Sequence, residues 1–249
     1  GHVLLTPYNL DIAARAGFRW LRLCPPLAPA GWSAEKEKGK TEFFTVGVER
    51  AAGLGFRLLG LLGTTPAFQG DIDSRRPPDP LAGWTNSYPP KDPAEWERYV
   101  SNAAAVFGKW VQHWELWNEP DTGFFQAPPG KTREQAYLAL ASNTRRYIDA
   151  GGTNLFLVTG AVSSPRNPFF METLTNGLAL CGDASSFHYH FEDRSPNETQ
   201  SPTVVEILAR AQELLDRGGK PLTLWHTEGG SWRADGGSWL RSARIPSSS

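Results

Sequence analysis

Two cysteines and one methionine are all the sulfur in these 249 residues. Cys24 and Cys181 are too few for a disulfide scaffold and too far apart for a metal knuckle, so they either form a single pair or stand free. No stretch approaches the roughly 18 consecutive apolar residues of a membrane span. The longest run, Leu58 to Leu62, is strand-sized. Neither sign of charge dominates: 25 Lys+Arg face 26 Asp+Glu, a formal net charge of -1. Nucleic acid is thereby excluded as a partner, because phosphate binding needs a concentrated positive surface. The N-terminal Gly1-His2-Val3 has neither a basic nor an apolar region of the kind a signal peptide carries. What the chain does have is apolar mass, 40% hydrophobic and 12% aromatic with 10 Trp. That composition is the opposite of the disordered signature and implies a soluble globular protein with a sizeable core.

Short apolar runs alternate with helical patterns along the chain. Six strands are expected, near residues 20, 59, 114, 157, 187 and 225. Helices are expected at Val46–Leu54, from Pro93 to about Lys109, from Thr132 to about Ala150, at Phe169–Thr175 and at Pro202–Arg217. Pro93 suits a helix start, where its missing N–H costs little, and Gly55 and Gly151-Gly152 suit helix ends. Alternation of this kind implies parallel βαβ units with buried strands. An open doubly wound sheet is the competing architecture. No Gly-x-Gly-x-x-Gly follows any strand, and the long loops all follow strands, as at the C-terminal face of a barrel. The fold class is therefore α/β, a (β/α)8 TIM barrel in a single domain spanning 1–249, incomplete at the first and eighth strands. His2–Leu5 would be a remnant of the first.

The chemistry concentrates in two segments. His113-Trp114-Glu115-Leu116-Trp117-Asn118-Glu119-Pro120-Asp121 places a Glu where a buried strand meets a loop. Partial burial there raises a carboxyl's pKa and suits it to hold a proton near neutrality. Asn118 beside it offers both a donor and an acceptor, as recognition of a sugar hydroxyl requires. Leu222-Thr223-Leu224-Trp225-His226-Thr227-Glu228-Gly229-Gly230 again ends an apolar strand in Glu. In a barrel Glu119 and Glu228 share one rim and flank its mouth, the arrangement glycoside hydrolysis needs. Arg22, at the end of the first of the six strands, is placed to hold Glu228 ionised, to pair with Glu115, or to lie on the surface.

Trp117-Asn118-Glu119-Pro120-Asp121 resembles the acid/base motif at the end of the fourth strand of clan A glycoside hydrolases. Thr227-Glu228-Gly229 resembles their nucleophile motif at the end of the seventh. The resemblance is greatest to glycoside hydrolase family 39, the β-xylosidases and α-iduronidases. Trp20-Leu21-Arg22, Leu62-Gly63-Thr64-Thr65-Pro66-Ala67 and Ser186-Phe187-His188 support it. It implies a retaining enzyme with no cofactor and no metal, acting on a carbohydrate substrate. On the matching positions, Glu119 would be the general acid/base and Glu228 the nucleophile. Asn118 would bind the sugar 2-hydroxyl, and Arg22 would contact the nucleophile. His188 fits the family's sixth strand. Two positions on, His190 stands where the family usually has Tyr, so either His190 or Tyr189 would reach the nucleophile. The family continues beyond the nucleophile through a helix and an eighth strand, whereas only a short tail follows Glu228 here.

Trp32, Trp84 and Trp232 fall in loops after strands, and of these Trp84 and Trp232 are the candidates to stack on a sugar ring. Trp20, Trp110, Trp114 and Trp225 belong to strand or helix patterns and should pack in the core. Two other functions compete. One is a metal-dependent barrel hydrolase or isomerase using His188, His190, His226 and Glu228. The other is a carbohydrate-binding fragment without turnover.

Overall fold

The computed structural model describes residues 5–23, 45–65, 87–192, 202–217 and 222–232. A helix α1 (Pro7–Arg15) comes first, capped by the Thr6 hydroxyl, which accepts from the Asn9 amide, with Pro at its start. This Thr-Pro start is a helix signal. It corrects the expectation of strand here: Leu5 is not in a strand, and residues 2–4 lie outside the described set. Then follow β1 (Trp20–Arg22), α2 (45–53), β2 (Arg57–Leu62), α3 (Pro93–Phe107), β3 (His113–Leu116) and α4 (Arg133–Asp149). After these come β4 (Phe156–Val162), α5 (Pro168–Thr175), a 3-10 turn at Leu178–Leu180, β5 (Ala184–Glu192), α6 (Val204–Arg217) and β6 (Thr223–Trp232). Asp92 and Asn167 cap α3 and α5, and Thr132 with Gln135 forms a capping box on α4. β6 continues through Gly229-Gly230 to Trp232, which places Trp232 at the end of the strand and not in a loop after it.

All six strands belong to one sheet in chain order, and each neighbouring pair is parallel. A doubly wound sheet would reverse its order at a switch point. None occurs here, so the sheet winds one way and curls into a nearly closed barrel. The curl brings the first and last strands together through their side chains. Trp20 of β1 meets Trp225 of β6 edge-on at 5.3 Å between ring centroids. His113 and Phe156 complete an aromatic floor inside the barrel, each 5.7–5.8 Å from Trp225.

Alternation along the strands separates this interior from the main core. Leu21, Leu58, Trp114, Leu116, Leu157 and Phe187 face outward into the helical layer. There they join the buried Trp96, Tyr99 and Phe107 of α3 and Tyr137 and Leu140 of α4. Trp114 is fully buried, as the sequence suggested. Cys181 is a buried free thiol, and Cys24 lies outside the described residues.

Gly60 of β2 pairs with Trp114 of β3. A Cβ at Gly60 would lie 2.6 Å from the indole edge and 2.9 Å from Val111 Cγ1. Gly60→Ala is therefore expected to lower unfolding stability by about 1–3 kcal/mol through overpacking. Urea unfolding of the two proteins measures this, and equal midpoints would show that the Trp114 pocket yields.

Candidate active site

Strand ends deliver the charged groups to one rim. Arg22 leaves β1, Glu115 lies on β3, Asn118 and Glu119 follow β3, His188 and His190 lie on β5 and Glu228 on β6. Arg22 is only 4% exposed. Its Nε donates to Glu115 Oε2 at 2.5 Å, Nη1 to Glu228 Oε2 at 3.0 Å and Nη2 to Asn118 Oδ1 at 2.8 Å. Two of the readings of Arg22 thus hold together, and the surface reading does not. Glu115 is fully buried, and its other oxygen accepts from Ser186 Oγ at 2.6 Å and Thr227 Oγ1 at 2.7 Å. Burial opposes its charge, yet Arg22, His188 and the two hydroxyls outweigh that penalty and hold its carboxyl below the usual range.

The Glu228 side chain reaches this rim because β6 is irregular. Phe187 pairs with His226, but His188 pairs with Glu228, so Thr227 is skipped in the register. Strict alternation would turn Glu228 to the same face as His226. The bulge instead lets Thr227 bond to Glu115 while Glu228 bonds to Arg22. His226 stays exposed and stacks on Phe187 at 5.2 Å.

Glu119 is set by a contorted backbone. Trp117, Glu119 and Ala161 adopt φ values of 66°, 45° and 49°, each a left-handed conformation that costs a non-glycine residue about 1–3 kcal/mol. Hydrogen bonds hold all three. Trp117 N donates to Leu62 O at 2.7 Å and its indole to Phe124 O at 2.9 Å. Glu119 N donates to Ala161 O at 2.8 Å, and Ala161 N to Ser186 Oγ at 3.0 Å. Beneath them the buried Tyr137 hydroxyl accepts from Gly160 N and lies within hydrogen-bond reach of Leu116 O. Asp121 accepts from Ser163 N at 2.8 Å and from Ser163 Oγ at 2.6 Å, tying the β3 loop to the end of β4. Burial raises the Asp121 carboxyl, and the Ser163 donors oppose that rise.

His188, fully buried, places Nδ1 3.1 Å from Glu119 Oε1 and 3.6 Å from Glu228 Oε2. His190 Nε2 lies 4.0 Å from Glu228 Oε1. Tyr189 points the other way and packs against the outer core, so of the two candidates His190 is the one near Glu228. An oxygen of Glu119, an oxygen of Glu228 and one nitrogen of each His all lie within 4.8 Å of one another. His226 is not in this group, which corrects the four-residue set of the competing metal-hydrolase reading. Trp84 lies outside the described residues, as does the side chain of Trp232. Ser186, Thr227, Asp121 and Ser163 have no role in the sequence reading, and Glu115 enters it only as a possible partner of Arg22. A charged residue at the centre of the apolar run Trp114-Glu115-Leu116 was the available signal for Glu115.

No family model matches the chain, and no curated protein proved similar to it. Solved structures do resemble it. A family 39 glycoside hydrolase from Bacteroides cellulosilyticus WH2 superimposes with a TM-score of 0.62 at 22% identity, over 92% of this chain and 48% of that one. A monomeric beta-xylosidase from Caulobacter crescentus CB15 gives 0.58 at 19%, over 91% and 50%. A psychrophilic family 10 endo-beta-1,4-xylanase gives 0.55 at 13%, over 96% and 88%. The likeness shows the fold, a barrel of parallel strands with helices between them. The chain spans about half the length of the first two proteins.

Removing one partner of a buried ion pair strands the other. Glu115→Ala is expected to lose about 3–5 kcal/mol in denaturant unfolding at neutral pH. Because the folded carboxyl titrates below its unfolded value, its contribution is complete above the ordinary carboxylate range and is lost as pH falls through the lower folded value. Acidification should therefore weaken the native protein over that interval more than it weakens Glu115→Gln. Parallel acid profiles would remove Glu115 as a contributor.

Proposed function

We propose that the chain is the catalytic barrel of a retaining glycoside hydrolase that cleaves O-glycosidic bonds in an oligo- or polysaccharide. The carrying observation is the approach of Glu119 and Glu228, whose facing oxygens lie within 4.8 Å. Retaining enzymes hold their two carboxyl groups about 5–5.5 Å apart, while inverting enzymes need about 6.5–9.5 Å to admit a water between them. The spacing here favours direct attack by a carboxylate.

Glu228 is the nucleophile. Arg22 fixes its orientation and favours its charged form, so an oxygen can form a bond to the anomeric carbon. The bond from that carbon to the leaving oxygen breaks, and Glu119 delivers its proton to the departing group. Glu119 then takes a proton from water, which attacks the anomeric carbon and frees Glu228. His188, between the two carboxyls, holds Glu119 in place through both steps. Asn118 gives its oxygen to Arg22, which orients its amide N–H groups toward the role of donor to the sugar 2-hydroxyl. Trp84 and Trp232 are the candidates to stack on the ring. The similar structures named as a xylosidase and a xylanase make a β-xyloside the first substrate to try. No metal or cofactor enters this scheme, since both proton transfers and the covalent step are carried by the two carboxyls.

Incubation with an activated 2-fluoro-xyloside, followed by mass spectrometry, is expected to give one adduct on Glu228. Glu119→Gln should still form an adduct with an activated leaving group, but should cleave unactivated xylosides about 10²–10⁴-fold more slowly. An adduct elsewhere would overturn the assignment of the nucleophile. Oligosaccharide binding that is unchanged in Glu119→Gln, without any turnover by the native chain, would favour a binding protein instead.

A further inference from the structure

We propose that Glu119, His188, His190 and Glu228 form a binding site for a zinc-like divalent cation, and that the cation is an inhibitor rather than a cofactor. Binding rests on the cluster alone, and inhibition rests in addition on the hydrolase reading above. Each residue offers one ligand atom, and the four atoms lie within 4.8 Å of one another. Zinc bonds to imidazole and carboxylate of about 2.0–2.2 Å place tetrahedral ligands about 3.4 Å apart. His188 Nδ1 lies 3.1 Å from Glu119 Oε1 and 3.6 Å from Glu228 Oε2, on either side of that edge, while His190 Nε2 is 4.0 Å from the other Glu228 oxygen, Oε1. The widest pair must close further, and Glu119 and His190, which are only partly buried, have room to do so. Two imidazoles with two carboxylates select zinc or copper over calcium or magnesium, which prefer all-oxygen sites.

Three features separate this site from that of a resident catalytic metal. Four protein ligands close the coordination shell, whereas catalytic zinc sites keep one position open. Arg22, 3.0 Å from Glu228 Oε2, places a fixed positive charge beside one ligand. His188 Nε2 is buried without a hydrogen-bond partner, so the ring lacks the outer acceptor that normally strengthens a ligating histidine. The cation would also bind both carboxyls at once. Glu119 could then neither give nor take a proton, and Glu228 could not attack. Zinc and glycosyl transfer therefore exclude each other.

Chelator-treated protein is to be titrated with zinc chloride by calorimetry, with bound metal counted by elemental analysis. One zinc per chain is expected, undisplaced by excess magnesium or calcium. His190→Asn and Glu119→Gln should each weaken binding at least about tenfold. His226→Asn, which alters an exposed histidine of the same strand outside the cluster, should leave it unchanged. Zinc should block labelling of Glu228 by the fluoro-sugar, and chelator should restore it. Absence of stoichiometric zinc, native-like affinity in both cluster variants, or loss of affinity in His226→Asn would overturn the site. Labelling that persists with zinc bound would overturn the inhibition. The titrations contain no sugar, so they succeed or fail independently of the hydrolase reading.

Discussion

The buried ion pair between Arg22 and Glu115 is the constraint around which the barrel interior is organised. Each would be costly alone in a site closed to solvent. Together they are saturated: the guanidinium meets Glu115, Glu228 and Asn118, while Glu115 meets Arg22, Ser186 and Thr227. Four of the six strands or the loops that follow them thereby converge on one network. The consequence is chemical as well as structural. A guanidinium held at fixed distance from Glu228 favours that carboxylate's charge, and because Glu115 balances the same guanidinium, the arrangement is stable before any substrate arrives.

The interior is graded along the strand direction. Trp20, His113, Phe156 and Trp225 close its lower end. Two residues further along these strands come Arg22, Glu115, Val158 and Thr227, and beyond them the carboxyls and histidines of the rim. An apolar floor lies beneath a polar layer, and the burial of Arg22 and Glu115 within that layer lowers the local dielectric and strengthens their contact. The floor bridges the seam where β1 and β6, the edge strands of the described sheet, are joined by side chains rather than by backbone hydrogen bonds. A cavity of about 470 Å³ lies along that seam between Trp20, Leu59, Trp225 and Thr227.

Much of this architecture was legible in the sequence, because buried parallel strands are continuous apolar runs and their helices carry ordinary caps. Six strands were expected, and six are present among the described residues. α1 was not foreseen, since it precedes the first apolar run and its exposed face mixes Asp11 and Arg15 with Tyr8 and Ile12. The placement of Glu228 illustrates a deeper limit. Its motif marks it, but a period of two cannot show a bulge, and without the skipped Thr227 the same sequence would face it away from the barrel. The left-handed turns at Trp117 and Glu119 are equally invisible in composition, because neither residue is glycine. Glu115 was legible only as one possible partner of Arg22, because a lone acid in a strand has many explanations until its bonds to Arg22, Ser186 and Thr227 are seen.

The strained segments and the buried charges occupy the same few strand ends, and this follows from what the site requires. A carboxyl can be aimed at a second carboxyl only if something opposes their repulsion and fixes both backbones. Here His188 stands between them, Arg22 holds one, and the Glu119–Ala161 and Ala161–Ser186 hydrogen bonds fix the other. The energy that sustains this arrangement comes from elsewhere, from the outer layer of Trp96, Tyr99, Trp114 and Tyr137, which contributes no reacting group. Tyr137 links the two regions directly, since its ring packs in that layer while its hydroxyl binds the ends of β3 and β4. Its substitution by Phe would keep the packing and remove the tether, so the geometry of Glu119 depends on one buried hydroxyl as well as on the core around it.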